Sequence, residues 1–376
     1  MIDSKLIKHF RTKVGDSNFV CEKYKNIDGK NKWNRICSAM DWIEVSADYL
    51  TKSNVFSKDD NIMSIQVFTY ISCIDIILEA IKQLHQVFYN TTTYPYKGEK
   101  SVFPENNIKT DDTLYFKTIR ACFGAHPVDL NDDFAQTGQH ERWYASWSGF
   151  HFSENGDFSV VLSSDQVNIK DIFFDIKFSE LNKFLEIRYS YLNQLINEID
   201  RQYLEFCDNL KVQEITTSNN PVEQLKILSV ESKKRLNNNY YDCLISQFQV
   251  LFSAIITCQE NIEKVNCYRN TLFPIIRELK DDLQNMVFGE LITSSLFEIP
   301  VDIQSIIQYP YSTISDHVLS DSQKPIFCLN RITDLLDNYV VFQYENTEEL
   351  YLLIHTGCYY YTLENSPTKR GEPHCS

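Results

Sequence analysis

IMSIQVFTYISCIDIILEAIKQLHQVFY, residues 62–89, decides the fold class of this chain. Ile65, Phe68, Ile71, Ile74, Ile77, Leu78, Ile81, Leu84 and Phe88 recur at steps of three and four, a broad apolar stripe at the helical period. A helix this apolar belongs in the middle of a bundle. His85 lies near its C-terminal end, where the helix dipole favours a histidine, so a structural role accounts for it.

Upstream, Trp33, Ile36, Met40, Ile43, Ala47 and Leu50 predict an amphipathic helix over 31–52. Leu6, His9 and Phe10 suggest a short helix before it, and Gly29 a break. Downstream, 90–111 reads NTTTYPYKGEKSVFPENNIKTD, a long polar loop of the kind that is often functional. Lys97, Lys100 and Lys109 give it positive charge and Tyr94 and Tyr96 supply rings, a combination suited to contacting RNA by charge and stacking. An ordinary exposed loop has the same composition.

The loop leads into DTLYFKTIRACFGAH, residues 112–126, followed by Pro127. Leu114, Phe116, Ile119, Cys122 and Phe123 predict one buried face of a helix. Asp112 or Thr113 can cap its start, and Gly124 and Pro127 signal its end. Arg120 and His126 sit on this helix end. Histidine exchanges a proton near neutral pH, and arginine presents a charged planar fork that matches phosphate oxygens. Together they suit metal-free phosphodiester cleavage, His126 activating a ribose hydroxyl and Arg120 stabilising charge at phosphorus. On a straight helix, six positions place the two side chains about 120° apart, so they converge only if the helix ends or distorts between them. The pair also suits a purely structural role, with His126 on the last carbonyls and Arg120 paired with a carboxylate.

WYASWSGFHFSENGDFSVVLS, residues 143–163, changes to the strand period, with Asn155-Gly156 as a tight hairpin turn and a third short strand near Phe174 to Phe178. Residues 179–210 then predict one helix of about 45 Å. The polar segment TTSNNP at 216–221 is the expected domain boundary, separating 1–215, with its β insertion at 143–178, from 216–376. Helices are expected over 221–236, 239–265 and 270–287, the last with Pro274 in its first turn. In the tail, Tyr339 to Tyr344 and Leu350 to Thr356 read as strands joined at 345–348, with CYYYTL a candidate third, giving a small mixed α/β tail.

Composition agrees with a mainly α chain. Gly and Pro are scarce, ten each in 376 residues, while 24 Phe and 22 Tyr supply core material. The net charge of −15 argues against a surface built for non-specific nucleic-acid binding and leaves room for a local basic cleft. Eleven scattered cysteines with no CxxC pair indicate a reducing cytoplasm and no zinc cluster. The charged N-terminus and the lack of a long uninterrupted apolar run predict neither secretion nor a membrane span. No Walker loop, GxGxxG, HExxH, GxSxG or kinase signature occurs.

Arg120-Ala-Cys-Phe-Gly-Ala-His126, late in a series of long helices, resembles the motif of the HEPN superfamily: an Arg, four to six intervening residues and a His. The resemblance covers about residues 30–210. Ala121 stands where many members carry a polar residue, and a β insertion is no core element of that fold. The resemblance implies a metal-independent endoribonuclease without cofactor, with Arg120 as transition-state stabiliser and His126 as acid/base. It further implies an RNA substrate, a homodimer joining two Arg–His sets, and a toxin or phage-defence setting with a neutralising partner protein. The rival expectation is a non-catalytic helical interaction or scaffold protein.

Overall fold

Asp60–Phe88 forms one helix, α4. Asp59 starts it by accepting from the Ile62 N–H at 3.0 Å. Its apolar stripe is buried at Ile71, Ile74, Ile77, Ile81, Leu84 and Phe88, as the periodicity predicts, while Ile65 and Phe68 are exposed and Val67 is buried in the first turns instead. The computed structural model describes residues 2–52, 56–104, 110–125, 127–130, 134, 141–147, 156–235, 239–320 and 329–365. The chain is mainly α-helical, with a small antiparallel sheet inserted in its middle. It divides into two compact units, Met1–Tyr203 and Leu204–Ser376.

In the first unit, α1 (Ser4–Gly15) and α2 (Phe19–Tyr24) precede α3 (Trp33–Lys52), which runs antiparallel to α4. Phe88 ends α4 with its ring against the edges of Phe10 and Tyr24, at 6.2 and 5.4 Å. By length and composition α4 could also cross a membrane, which the expectation of no such segment overlooked because Gln66, Ser72 and Asp75 interrupt the apolar run. A bundle's central helix meets the same criterion.

α5 (Asp112–Arg120) follows, then the sheet of β1 (Trp143–Trp147), β2 (Phe158–Ser164) and β3 (Ile172–Ile176), in the order β1-β2-β3. Trp143, Phe158, Val160, Leu162, Phe174 and Ile176 are buried on alternate positions of their strands. The hairpin register differs from the expected one. Trp147 pairs with Val160, whereas a two-residue turn at 155–156 would place residue 151 there. Asn155 lies outside the described residues, and Gly156 serves another purpose. A Cβ on it would fall 2.8 Å from Asp175 Cβ and 3.1 Å from the Ile176 carbonyl oxygen, so this glycine lets β2 approach β3.

The helix expected over 179–210 is broken into α6 (Phe178–Tyr189) and α7 (Leu192–Lys211). Tyr189 and Tyr191 are both buried, yet a straight helix would point them about 200° apart. The break resolves this conflict. Tyr189 donates to the Asp3 carbonyl, while the Tyr191 hydroxyl meets His85 Nδ1 at 2.8 Å.

The second unit holds α8 (Pro221–Arg235), α9 (Asn239–Ser253), α10 (Ile262–Thr271), α11 (Phe273–Asn285), α12 (Val301–Ser320), α13 (Leu329–Leu336) and α14 (Thr347–Asn365). Residues 254–258 interrupt the helix expected over 239–265. α14 corrects the reading of the tail: residues 350–356 are helix, and no strand occurs among the described residues of this unit. Leu350 through Thr356 is buried on every side, so the run carries neither a two- nor a 3.6-residue period. Asn346, read as a turn residue, caps this helix by accepting from the Glu349 N–H at 2.8 Å. The buried Glu349 carboxylate accepts from the Thr257 N–H and hydroxyl and from the Glu345 N–H. Arg235, also buried, donates to the carbonyls of Leu210, Gln213 and Leu283 and so closes the ends of α7 and α11.

Candidate functional site

α5 is anchored at its start by two aspartates with different tasks. Asp111 is the cap, accepting from the Leu114 N–H at 2.9 Å, one residue ahead of the expected position. Asp112 is buried and accepts from the N–H groups of Ser101, Val102 and Phe103 at 2.8, 3.0 and 3.3 Å. Three backbone donors on one carboxylate pin the preceding loop to this end of α5. Phe116 and Ile119 bury the inner face, Phe116 stacking on Phe184 at 4.8 Å.

Regular α geometry stops at Arg120. Ala121–Ala125 forms a π-helical turn, in which the hydrogen bonds reach one residue further. Gly124 brings it close to α4: a Cβ there would lie 2.9 Å from the Phe68 ring, which would have to shift. A distortion therefore separates Arg120 from position 126. His126 itself lies outside the described residues, as does Lys109.

Arg120 reaches α4, its Nε 3.1 Å from Asp75 Oδ2, with the Arg120 side chain 43% exposed and that of Asp75 28%. Burial raises the Asp75 pKa above the ordinary carboxylate range; Arg120 opposes this, Glu79 adds to it, and Lys117 opposes it. Asp75 also lines an open groove of about 440 Å³ between α3 and α4, together with Arg35, Trp42, Ile76 and Glu79. Trp42 is 54% exposed, and Val45, Ile62, Ile65 and Phe68 are exposed on the same two helices. An apolar strip thus flanks the cation at the end of α5.

Lys97 and Lys100 are exposed and stand at the other end of α5. Their segment is tied there by the Gly98 N–H on Asp111 and the Asp112 N–H on the Glu99 carbonyl. The eight helical steps from Asp112 to Arg120 hold these anchor points about 12 Å apart. The loop tyrosines pack inward around Arg188, whose fully buried guanidinium lies 3.8 Å from the Phe184 ring centroid and 5.0 Å from that of Tyr96. Arg188 pairs with Glu99 at 3.1 Å. His85 bonds Tyr191 and the Thr93 carbonyl, at 2.8 and 2.7 Å, in keeping with its structural reading.

Asp75 and Trp42 escaped the sequence reading. The signal for Asp75 was present: a carboxylate within ISCIDIIL, the most apolar stretch of α4, needs a partner. No group of three or more His, Cys, Asp and Glu suited to a metal occurs among the described residues. No protein-family model matches the chain, and neither a curated protein nor a solved structure does.

Proposed function

We propose that this chain is a metal-independent endoribonuclease of the HEPN type, acting in the cytoplasm within a toxin or phage-defence system and held in check by a partner protein. What supports the reading is Arg120: a half-exposed guanidinium at the point where α5 leaves α geometry, six residues ahead of a histidine and beside an open groove. In the proposed reaction His126 takes the proton of a ribose 2′-hydroxyl, whose oxygen forms a bond to phosphorus as the bond to the 5′-oxygen breaks. The leaving oxygen takes a proton from solvent, giving a 2′,3′-cyclic phosphate and a 5′-hydroxyl. Arg120 exchanges Asp75 for the phosphoryl oxygens and neutralises their growing charge. The apolar strip of α3 and α4 suits a homodimer that joins two such ends.

The Asp75–Arg120 ion pair favours a second reading, a non-catalytic interaction module in which Arg120 only fastens α5 to α4. RNA cleavage in EDTA by the wild type, Arg120→Ala and His126→Ala separates the two, with folding followed by circular dichroism. The nuclease cuts RNA as wild type, and each folded variant loses about a hundredfold or more. A wild type that leaves RNA intact favours the module, and variants that cut as well as the wild type move the site elsewhere.

A further inference from the structure

A second cavity, of about 440 Å³, opens in the Leu204–Ser376 unit between the segment that enters α8 and the face of α11. Among the described residues, Arg277 and Lys280 are the only ionisable ones that line it, on a chain with 51 acidic and 36 basic side chains. They lie three apart on α11 and so share a face. Neither has a carboxylate partner among the described residues. Lys280 donates to Thr217 Oγ1 at 2.7 Å, which leaves the Thr217 hydroxyl proton free for another acceptor. Phe273, Ile276 and Pro221 supply an apolar wall beside the cations.

The rim is braced before any ligand arrives. Buried Gln224 accepts from the Ser218 N–H at 2.7 Å and donates to the Thr216 carbonyl at 3.3 Å. Asn220 already satisfies the first amides of α8, accepting from Val222 and Glu223 at 2.9 and 3.3 Å. The helix terminus therefore adds little, and the attraction for an anion comes from the two side-chain cations and the Thr217 hydroxyl. Two adjacent cations without acids call for a phosphate, and the apolar wall calls for a flat or aliphatic group joined to it. We infer that this cavity binds a small phosphorylated ligand of nucleotide size, its phosphate on Arg277, Lys280 and Thr217 and its apolar part on Phe273 and Ile276. The site is independent of Arg120 and of the nuclease reading.

Isothermal titration calorimetry of the full chain with each of the four ribonucleoside 5′-monophosphates tests the inference. At least one saturates a single site per chain, and its parent nucleoside binds about tenfold more weakly or less. Arg277→Gln and Lys280→Gln each weaken binding about tenfold, the double variant abolishes it, and His126→Ala leaves it unchanged. Both substituted side chains lie at the cavity surface, and circular dichroism checks each fold. The inference fails if none of the four nucleotides binds at millimolar concentration, or if binding survives in the folded double variant. It also fails if only an oligoribonucleotide binds, which would assign the cations to RNA.

Discussion

Asp75 Oδ2 and Arg120 Nε meet 3.1 Å apart and join the most apolar helix of the first unit to the end of the helix that precedes His126. Because both side chains are partly exposed, the pair contributes modestly to stability. Arg120→Ala therefore costs about 1 kcal/mol or less in urea unfolding, which keeps the variant usable in cleavage assays.

The same pair restrains Arg120. Asp75→Asn releases the guanidinium, and if the nuclease reading holds, RNA affinity rises severalfold in fluorescence anisotropy; in the module reading it stays unchanged. The raised Asp75 pKa also fixes a sign: its contribution to stability is fullest below the ordinary aspartate pKa and is lost as pH rises through the folded value. Asp75→Asn removes that loss, so the variant's midpoint rises relative to the wild type's as pH goes from 4 to 7.

Ile65 is 66% exposed in the apolar strip of the first unit. If two chains meet through this strip, Ile65→Lys shifts sedimentation from dimer to monomer with an unchanged circular dichroism spectrum. A wild type that is monomeric throughout the micromolar range overturns the homodimer.

Buried His355 is held neutral in the second unit, its pKa lowered by desolvation from 6.5 to about 3. Its surroundings are rings: Phe297 stacks on it at 4.8 Å, Tyr351 lies 4.6 Å away, and the Tyr311 hydroxyl is 3.0 Å from Nε2. A depressed histidine pKa stabilises the fold above the unfolded value and loses this contribution as pH falls towards the folded one. Urea unfolding of the wild type weakens with acid below about pH 6.5, and His355→Gln reduces that slope by up to about 1.4 kcal/mol per pH unit.

Gly357 lets α14 lie close to α13. A Cβ at this position would fall 3.1 and 3.2 Å from Leu336 Cβ and Cδ1 and 3.4 Å from Val340 Cγ2. Gly357→Ala overpacks this contact and costs about 1–3 kcal/mol in urea unfolding, despite the better helix propensity of alanine.

Sequence by itself determined the elements whose burial is one-sided. α3 and α4 follow the three-and-four spacing of their apolar residues, and Pro221 marks the start of α8, because an amphipathic segment carries its own period. Tertiary structure decided the rest. Residues 350–356 became helix because surrounding helices bury every side of a run that has no period. The break between α6 and α7 lets Tyr189 and Tyr191 both be buried, where one straight helix would turn them about 200° apart. The pairing of Arg120 with Asp75 depends on how α5 lies against α4, 45 positions away along the chain, where local spacing carries no information.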